Sequence, residues 1–89
     1  MMQSSGVYKA NALFNLHDYE GALIALDEAE RLESNNVNAS VIRGNTLFML
    51  GRNDEALASF DKAIAVDPDN IAVIEGKQAI LTILGNSSP

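Results

Sequence analysis

Cysteine is absent from this chain of 89 residues, and histidine occurs only once. The lack of cysteine excludes a disulfide scaffold and a metal site built on thiolates. It also indicates a reducing compartment or indifference to the redox state, and Met1 to Gly6 lack the basic and apolar regions of a secretory signal. We therefore predict a cytoplasmic protein.

Basic residues are also scarce, with six lysines and arginines against twelve aspartates and glutamates and a net charge of −6. Nucleic-acid backbones and anionic membrane surfaces attract clustered positive charge, and this sequence has no basic run. No segment approaches the roughly 20 apolar residues that a membrane span needs. We predict neither a nucleic-acid partner nor a membrane partner.

Residues for catalysis or metal binding are missing as well. The sequence has no nucleophile–base pair, no glycine-rich phosphate loop and no paired histidine ligands. His17 stands beside Asp18 at a helix end, and a metal site needs several converging ligands, so a structural role is favoured over a pH-sensitive or metal-binding one. The sequence predicts a protein that is not an enzyme and uses no cofactor and no metal.

The main positive feature is a repeat of 34 residues. The segment 3–36 aligns with 37–70 without a gap, and ten positions are identical. These pairs are Val7/Val41, Asn11/Asn45, Leu13/Leu47, Phe14/Phe48, Leu16/Leu50, Ala22/Ala56, Leu23/Leu57, Asp27/Asp61, Ala29/Ala63 and Asn36/Asn70. Such a period indicates a solenoid, in which each unit buries its apolar face against a neighbour and the stack presents a surface.

Apolar residues recur at spacings of three and four in both units, which predicts helices and no strands. A break at 51–53, and the equivalent break at His17, predict a helical hairpin in each unit. Pro68 is expected to end the second hairpin because proline lacks a backbone donor. Asp18 is the expected cap of the second helix, and Asn53 that of the fourth.

A fifth helix follows in the register of a third unit, and Asp69 or Asn70 can cap it. The predicted architecture is one all-α domain over residues 1–89, with about five helices. Its parts are a first repeat at 3–36, a second repeat at 37–70, an unpaired or capping helix at 71–85 and a polar tail at 86–89.

Small residues fall where two helices of a hairpin would cross closely, because only small side chains allow axes about 8 to 10 Å apart. These residues are Ala10, Ala22, Ala29, Gly44, Ala56 and Ala63. The space around them is expected to be filled by Leu13, Leu26, Leu47 and Phe60.

This pattern resembles the tetratricopeptide repeat family, which has a period of 34 residues. The second unit carries the family pattern at Gly44, Leu47, Gly51, Ala56, Phe60, Ala63 and Pro68. The first unit departs from it at His17, Gly21, Leu26 and Ser34, as a diverged terminal repeat would. The resemblance covers about residues 3–85 and implies antiparallel helical hairpins stacked as a right-handed solenoid.

Members of this family bind other proteins, usually an extended peptide or a helix on the concave face that the first helix of each hairpin forms. The resemblance implies a groove lined by Val7, Tyr8, Asn11, Asn15, Asn38, Val41, Ile42, Asn45, Met49 and Glu75, with Ser4, Ala72, Gly76 and Ala79 on the same face. Asn11 and Asn45 can pair with a peptide backbone or can lie solvated on the helix surface, and the sequence leaves both interpretations open.

The best-known subfamily clamps the C-terminal carboxylate of heat-shock chaperones with lysine, asparagine and arginine. The matching positions here hold Val7, Asn11, Ile42, Ala72 and Gly76, of which only Asn11 agrees. A carboxylate clamp without its cations has no electrostatic basis, so we expect no binding of chaperone tails.

Two patterns of charge remain. The acidic cluster Asp27, Glu28, Glu30 and Glu33 is interpreted as a solvated helix face with ordinary pairs such as Asp27 with Arg31, rather than as a site for a basic partner. The second pattern is a basic stripe with one charge in each unit, at Lys9, Arg43 and Lys77. Its side chains are expected to lay their aliphatic stems over the neighbouring helix.

The last helix is apolar over more than half its circumference, whereas a terminal solenoid helix should turn a polar face outward. Either a next repeat is missing or another copy of the molecule covers the helix. Ile80, Ile83 and Leu84 are expected to be exposed on a monomer, and we predict a two-fold dimer through this helix, with exchange of helices as one route. The predicted interface is Ile74, Ile80, Leu81, Ile83 and Leu84.

The expected function is that of a non-catalytic protein-interaction module or scaffold, part of or cut from a longer repeat protein. The alternative is a structural oligomerisation unit that associates through its C-terminal helix. Helical repeats that read RNA one base at a time are disfavoured by the 34-residue period and the acidic balance. The expected partners are another protein or peptide, and either a second copy in a homodimer or missing neighbouring repeats.

Overall fold

A computed structural model describes residues 5–33 and 36–86, and no described residue lies in a β-strand. Five helices follow one another along the chain, namely α1 (Ser5–Asn15), α2 (Tyr19–Leu32), α3 (Val37–Met49), α4 (Asn53–Val66) and α5 (Ile71–Asn86). The prediction of an all-α helical repeat with five helices is confirmed.

The helices form two hairpins and a single following helix. α1 packs against α2 and α3 against α4, while α3 also contacts α2 and α5 also contacts α4. α1 and α3, the first helices of the two hairpins, lie side by side. The molecule measures 45 × 29 × 17 Å, an elongated shape that follows from packing each unit mainly on its neighbour.

The turn inside each hairpin has the same backbone shape. His17 and Gly51 both adopt a left-handed conformation, with φ of 66° and 80°. The residue that follows each of them donates its backbone N–H to a leucine carbonyl: Asp18 to Leu13 at 2.8 Å, and Arg52 to Leu47 at 2.9 Å. The two leucines occupy equivalent positions in the two repeats. The structure therefore confirms His17 as a turn residue equivalent to Gly51.

Polar side chains cap the N-termini of α2, α3 and α5. The Asp18 carboxylate accepts from Gly21 N at 3.0 Å, and the amide oxygens of Asn36 and Asn70 accept from the backbone three residues on. The prediction that Asn53 caps α4 is wrong, because Asn53 is already the first helical residue. The repeat places Arg52, and not Asn53, opposite the capping residue Asp18.

The ends of the last two helices lie close to the predicted ones. α4 ends at Val66, two residues before Pro68, because proline disfavours helical geometry in the residue that precedes it. α5 continues through Asn86, which is the first residue of the predicted tail, so the helix is one residue longer than predicted. The rest of that tail, and Ser4 and Ser34, lie outside the described residues.

The core consists of two clusters that share Leu23 at their boundary. All six small residues at the predicted helix crossings are buried. A Cβ atom placed on Gly44 would lie 2.7 Å from the Phe60 ring and 3.2 Å from the Ala56 carbonyl oxygen, so a larger residue there would force Phe60 to shift. Leu26, Leu47 and Phe60 are buried as predicted, and Leu13 is partly buried against the first cluster.

Candidate peptide-binding groove

A groove with a volume of about 360 Å³ runs between α1 and α3. It is lined by Val7, Tyr8, Asn11, Asn38, Val41 and Ile42. All six belong to the ten residues that the sequence predicted for this face, three from each helix.

The helical spacing explains why these side chains meet. Residues three and four apart lie on one face of a helix, and this relation joins Val7 to Asn11 on α1 and Asn38 to Ile42 on α3. Val7 is only 5% exposed and forms part of the floor, where it belongs to the first core cluster. Tyr8 is 65% exposed and stands at the rim. The groove therefore combines a rigid apolar floor with an accessible aromatic ring.

The polar groups of the groove are uncharged. Asn11 and Asn38 are exposed, and within the described part of the chain their side-chain amides make no hydrogen bond. Each amide can donate and accept, as a peptide backbone also can. Since no charged residue among 5–33 and 36–86 lines the groove, its chemistry suits apolar side chains and backbone groups rather than a carboxylate or a phosphate.

Four predicted groove residues do not line this cavity, although all four are exposed. They are Asn15, Asn45, Met49 and Glu75. Asn45 therefore differs from Asn11, its equivalent one repeat earlier, which does line the groove. Glu75 lies on α5, which packs chiefly on α4 rather than beside α3.

A second cavity, of about 490 Å³, is formed by residues of α2, α3 and α4 and by Arg52 before α4, and the sequence analysis did not predict it. It is lined by Glu20, Leu23, Ile24, Asp27, Arg43, Leu47, Arg52, Glu55, Ala58 and Ser59. At its rim Arg52 Nε donates to Glu55 Oε1 at 2.6 Å, and this bond together with the carboxylate charge raises the pKa of Arg52. The guanidinium thus stays charged and occupied by an internal partner.

The acidic cluster of α2 is used differently from the prediction. Asp27 and Glu30 both accept from Arg43 of the next hairpin, at 2.8 and 3.2 Å, while Arg31 lies 3.8 Å from Glu28. The expected pair of Asp27 with Arg31 is therefore wrong, because the inter-helix contact turns Asp27 toward α3. The regular spacing of Lys9, Arg43 and Lys77 in the sequence was a sign that these cations have a common role, but it did not identify their acidic partners.

The apolar face of α5 is only partly exposed. Ile80 is 4% exposed in the second core cluster, so its expected exposure on a monomer is wrong. It lies on the side of α5 that packs on α4. Ile74 and Leu84 are half-buried, whereas Leu81 and Ile83 are 40% and 50% exposed. The uncovered part of the predicted interface consists mainly of these last two residues.

The described residues offer no metal site and no membrane-spanning helix. Among them, no group of three histidine, aspartate or glutamate side chains could hold a metal ion. His17 Nδ1 lies 2.7 Å from the Tyr19 hydroxyl, and the two rings meet edge to face. No helix in the described part of the chain is long and apolar enough to cross a membrane.

A family model described as tetratricopeptide repeat matches residues 9–71, which include most of both hairpins and the α1–α3 groove. No curated protein matches the chain.

Proposed function

The chain belongs to the tetratricopeptide repeat family, and on that premise we propose that its α1–α3 groove binds a peptide or a helix of another protein. Repeats of this family are generally non-catalytic protein-interaction modules. The proposal goes further because it assigns the binding to one face of this chain.

The observation that carries the proposal is the convergence of six predicted residues on a single groove. A cavity of about 360 Å³ lies near the lower end of the range of ligand pockets, so it suits a few side chains of a longer segment. The apolar floor favours a segment with aliphatic or aromatic side chains. The amides of Asn11 and Asn38 can bond its backbone and fix its register.

A peptide-display selection on the folded chain tests this proposal. Peptides that bind the wild-type protein are measured again on a Tyr8→Ala variant, which removes an exposed aromatic ring from the rim. An aromatic side chain that a bound partner buries often contributes about 2 kcal/mol or more, so affinity should fall by at least about tenfold if the peptide covers the Tyr8 ring. Leu32→Ala is the matched control, because Leu32 is 78% exposed and lies on α2 outside the groove.

Equal affinities for the wild type and the Tyr8→Ala variant would contradict the proposal, as would a selection that yields no peptide. Circular dichroism should show the same helix content in all three proteins, since both substituted side chains are mostly exposed.

A second candidate function is oligomerisation through α5, which the exposed residues Ile71, Leu81 and Ile83 support. These three are the large hydrophobic side chains that α5 leaves exposed. Gln78 occupies the place that Ala10 and Gly44 hold in the first two units. Because Gln78 is larger than alanine or glycine, a second helix cannot approach α5 as closely as α4 approaches α3. This supports a less close contact, such as one with a second copy of the chain. Light scattering of the purified chain tests it, and a monomer at high micromolar concentration would remove it.

A further inference from the structure

The cavity of about 490 Å³ is formed by both hairpins together, and its lining follows helical spacing on each of them. α2 contributes Glu20, Leu23, Ile24 and Asp27, and α4 with the residue before it contributes Arg52, Glu55, Ala58 and Ser59. Residues three, four and seven apart share a helix face, so each of the two helices turns one face to the cavity. Arg43 and Leu47, four residues apart on α3, complete the lining.

Part of this lining is apolar. Leu47 is 4% exposed and Leu23 is half-buried, so they form a packed apolar base. Ile24 stands beside them and is 70% exposed, although it lines a cavity. An aliphatic side chain that enters the cavity would cover Ile24 and remove apolar surface from water, which is favourable.

Ser59 adds a buried polar group without a partner. It is 8% exposed, and its hydroxyl makes no hydrogen bond within residues 5–33 and 36–86. In the same part of the chain no fully enclosed side-chain polar atom lacks a partner, so the hydroxyl must be open to the cavity that Ser59 lines. Buried hydroxyl groups are normally hydrogen-bonded, and this one is available to a ligand.

The charged groups of the lining leave one carboxylate in excess. Arg43 is bonded to Asp27 and Arg52 to Glu55, so both guanidinium groups already hold a partner. Glu20 is exposed and makes no hydrogen bond or ion pair with a described residue. The bond to Glu55 is the main cause of the raised pKa of Arg52, and the charge of Glu20 contributes as well. Two carboxylates thus lie near one guanidinium at this rim.

We propose that this cavity binds a short segment of a partner protein in which a lysine or arginine stands beside an aliphatic residue. The aliphatic side chain covers Ile24 and rests on Leu47, while the cation pairs with Glu20. Glu20 and Ile24 are four residues apart on α2, so a cation and an aliphatic group side by side match them. The Ser59 hydroxyl bonds the backbone of the segment. Lysine and arginine suit this place because their stems lie on apolar surface while the charged group reaches a carboxylate.

The charge of the chain favours a basic partner over a second copy. The net charge is −6, so two copies repel each other, whereas a basic segment is attracted. The α1–α3 groove shares no residue with the cavity, and its described lining is uncharged. The two sites therefore select different segments, and this inference does not rest on the function proposed for the groove.

A titration followed by nuclear magnetic resonance tests the proposal on the full chain. The probe is the blocked peptide Gly-Leu-Lys-Leu-Gly, which is added to isotope-labelled protein while the backbone amide shifts are recorded. We expect saturable shift changes around Ile24 and Glu55. Glu20→Lys should weaken binding by about fivefold or more, because an attraction is replaced by a repulsion. Ile24→Ser should weaken binding as well, because it removes apolar contact.

Glu28→Lys and Leu32→Ser are the matched controls. They make the corresponding changes at exposed residues of α2 that do not line the cavity, so both should leave the affinity unchanged. Tyr8→Ala, which tests the groove, should also leave it unchanged. The amide spectrum of each variant shows whether it is folded. Two control peptides, one with glutamate in place of lysine and one with serine in place of both leucines, should bind more weakly than the probe.

The inference would be overturned by an absence of saturable shift changes, by equal affinities of the wild type and Glu20→Lys, or by equal binding of the control peptides. Shift changes centred on Asn11 and Asn38 would place the peptide in the α1–α3 groove, which overturns this inference and leaves the proposed groove intact. Shift changes at the cavity that follow protein concentration without peptide would assign the cavity to a second copy, which also overturns it.

Discussion

At the scale of single residues, the helix crossings of the two hairpins are packed with different pairs of side chains. The second hairpin places Gly44 against Phe60, and the first places Ala10 and Leu26 at the equivalent positions. All four are buried. A larger residue on one helix is thus accompanied by a smaller one on the other, as dense packing of a core requires.

This pairing predicts a coupling between positions 44 and 60. Gly44→Ala should lower the free energy of unfolding by about 1 to 3 kcal/mol through overcrowding, less up to about 1 kcal/mol gained in helix propensity. In a Phe60→Leu background the same change should cost less, because the ring that a Cβ would meet is gone. Urea unfolding of the two single variants and the double variant measures the coupling.

Gly85→Ala is the matched control for that cycle. A Cβ at Gly85, also in a helix, would meet nothing within 4 Å, so this change should cause no loss of stability. Equal costs of Gly44→Ala in both backgrounds would show that Phe60 does not decide the residue at position 44.

At the scale of the elements, the two hairpin turns share a left-handed backbone conformation, but only one of them is strained by it. A left-handed conformation costs a residue with a side chain about 1 to 2 kcal/mol, and glycine adopts it freely. His17 bears this cost in the first turn, while Gly51 avoids it in the second. The contact of His17 with the Tyr19 hydroxyl is exposed, so it offsets only part of the cost.

We therefore predict that His17→Gly raises the free energy of unfolding by up to about 1 kcal/mol, and that Gly51→His lowers it by a similar amount. Thermal and urea unfolding measure both. Tyr19→Phe controls for the contact, since it removes the hydroxyl and leaves the backbone alone. A loss of stability in His17→Gly that Tyr19→Phe reproduces would show that the contact outweighs the strain.

At the scale of the whole molecule, internal faces are filled and the two end faces are open. Between hairpins, Arg43 and Lys77 are paired and the residues along their stripes are buried or half-buried. At the ends, Leu16 just after α1 and Ile83 on α5 remain 74% and 50% exposed. A stack of repeats buries apolar surface only where a neighbour is present, so its ends are the natural places for further contacts.

The open face of α5 predicts that self-association depends on Ile83. Ile83→Glu should convert a dimer into a monomer, because a carboxylate would have to be buried without a partner at the interface. Multi-angle light scattering at high micromolar concentration measures the mass. Ile24→Glu is the matched control, since Ile24 is an isoleucine 70% exposed on α2, and it should leave the dimer intact. Equal masses for both variants and the wild type would contradict the prediction.

The local and periodic features of the fold could be predicted from the amino-acid sequence. Helix boundaries, the turn at His17, the stop near Pro68 and the small residue at position 44 depend on spacing, backbone restrictions and the 34-residue register. These properties depend on residues within one hairpin, and the sequence repeats them in the second hairpin. The wrong prediction of a cap at Asn53 has the same explanation. The position 34 residues after the cap Asp18 is Arg52, so the repeat register itself indicates the correct cap position.

The extent of the candidate groove was only partly predictable. The sequence placed ten residues on one face, but a cavity forms only where two helices lie at a suitable distance, so six line it and Met49 and Glu75 do not. For Glu75, the position of α5 relative to α3 and α4 decides this, and the spacing of residues within α5 does not reveal that position.

The sequence alone determined that this protein is an all-α stack of 34-residue hairpins of the tetratricopeptide repeat kind. Only the tertiary structure decided which charges pair, that Ile80 is buried while Ile83 is exposed, and that Lys9 has no partner among the described residues whereas Arg43 and Lys77 are paired. The physical reason is the range of the interactions. Periodicity specifies which side chains share a helix face, whereas pairing and burial depend on the distance and rotation between helices that are separate along the chain.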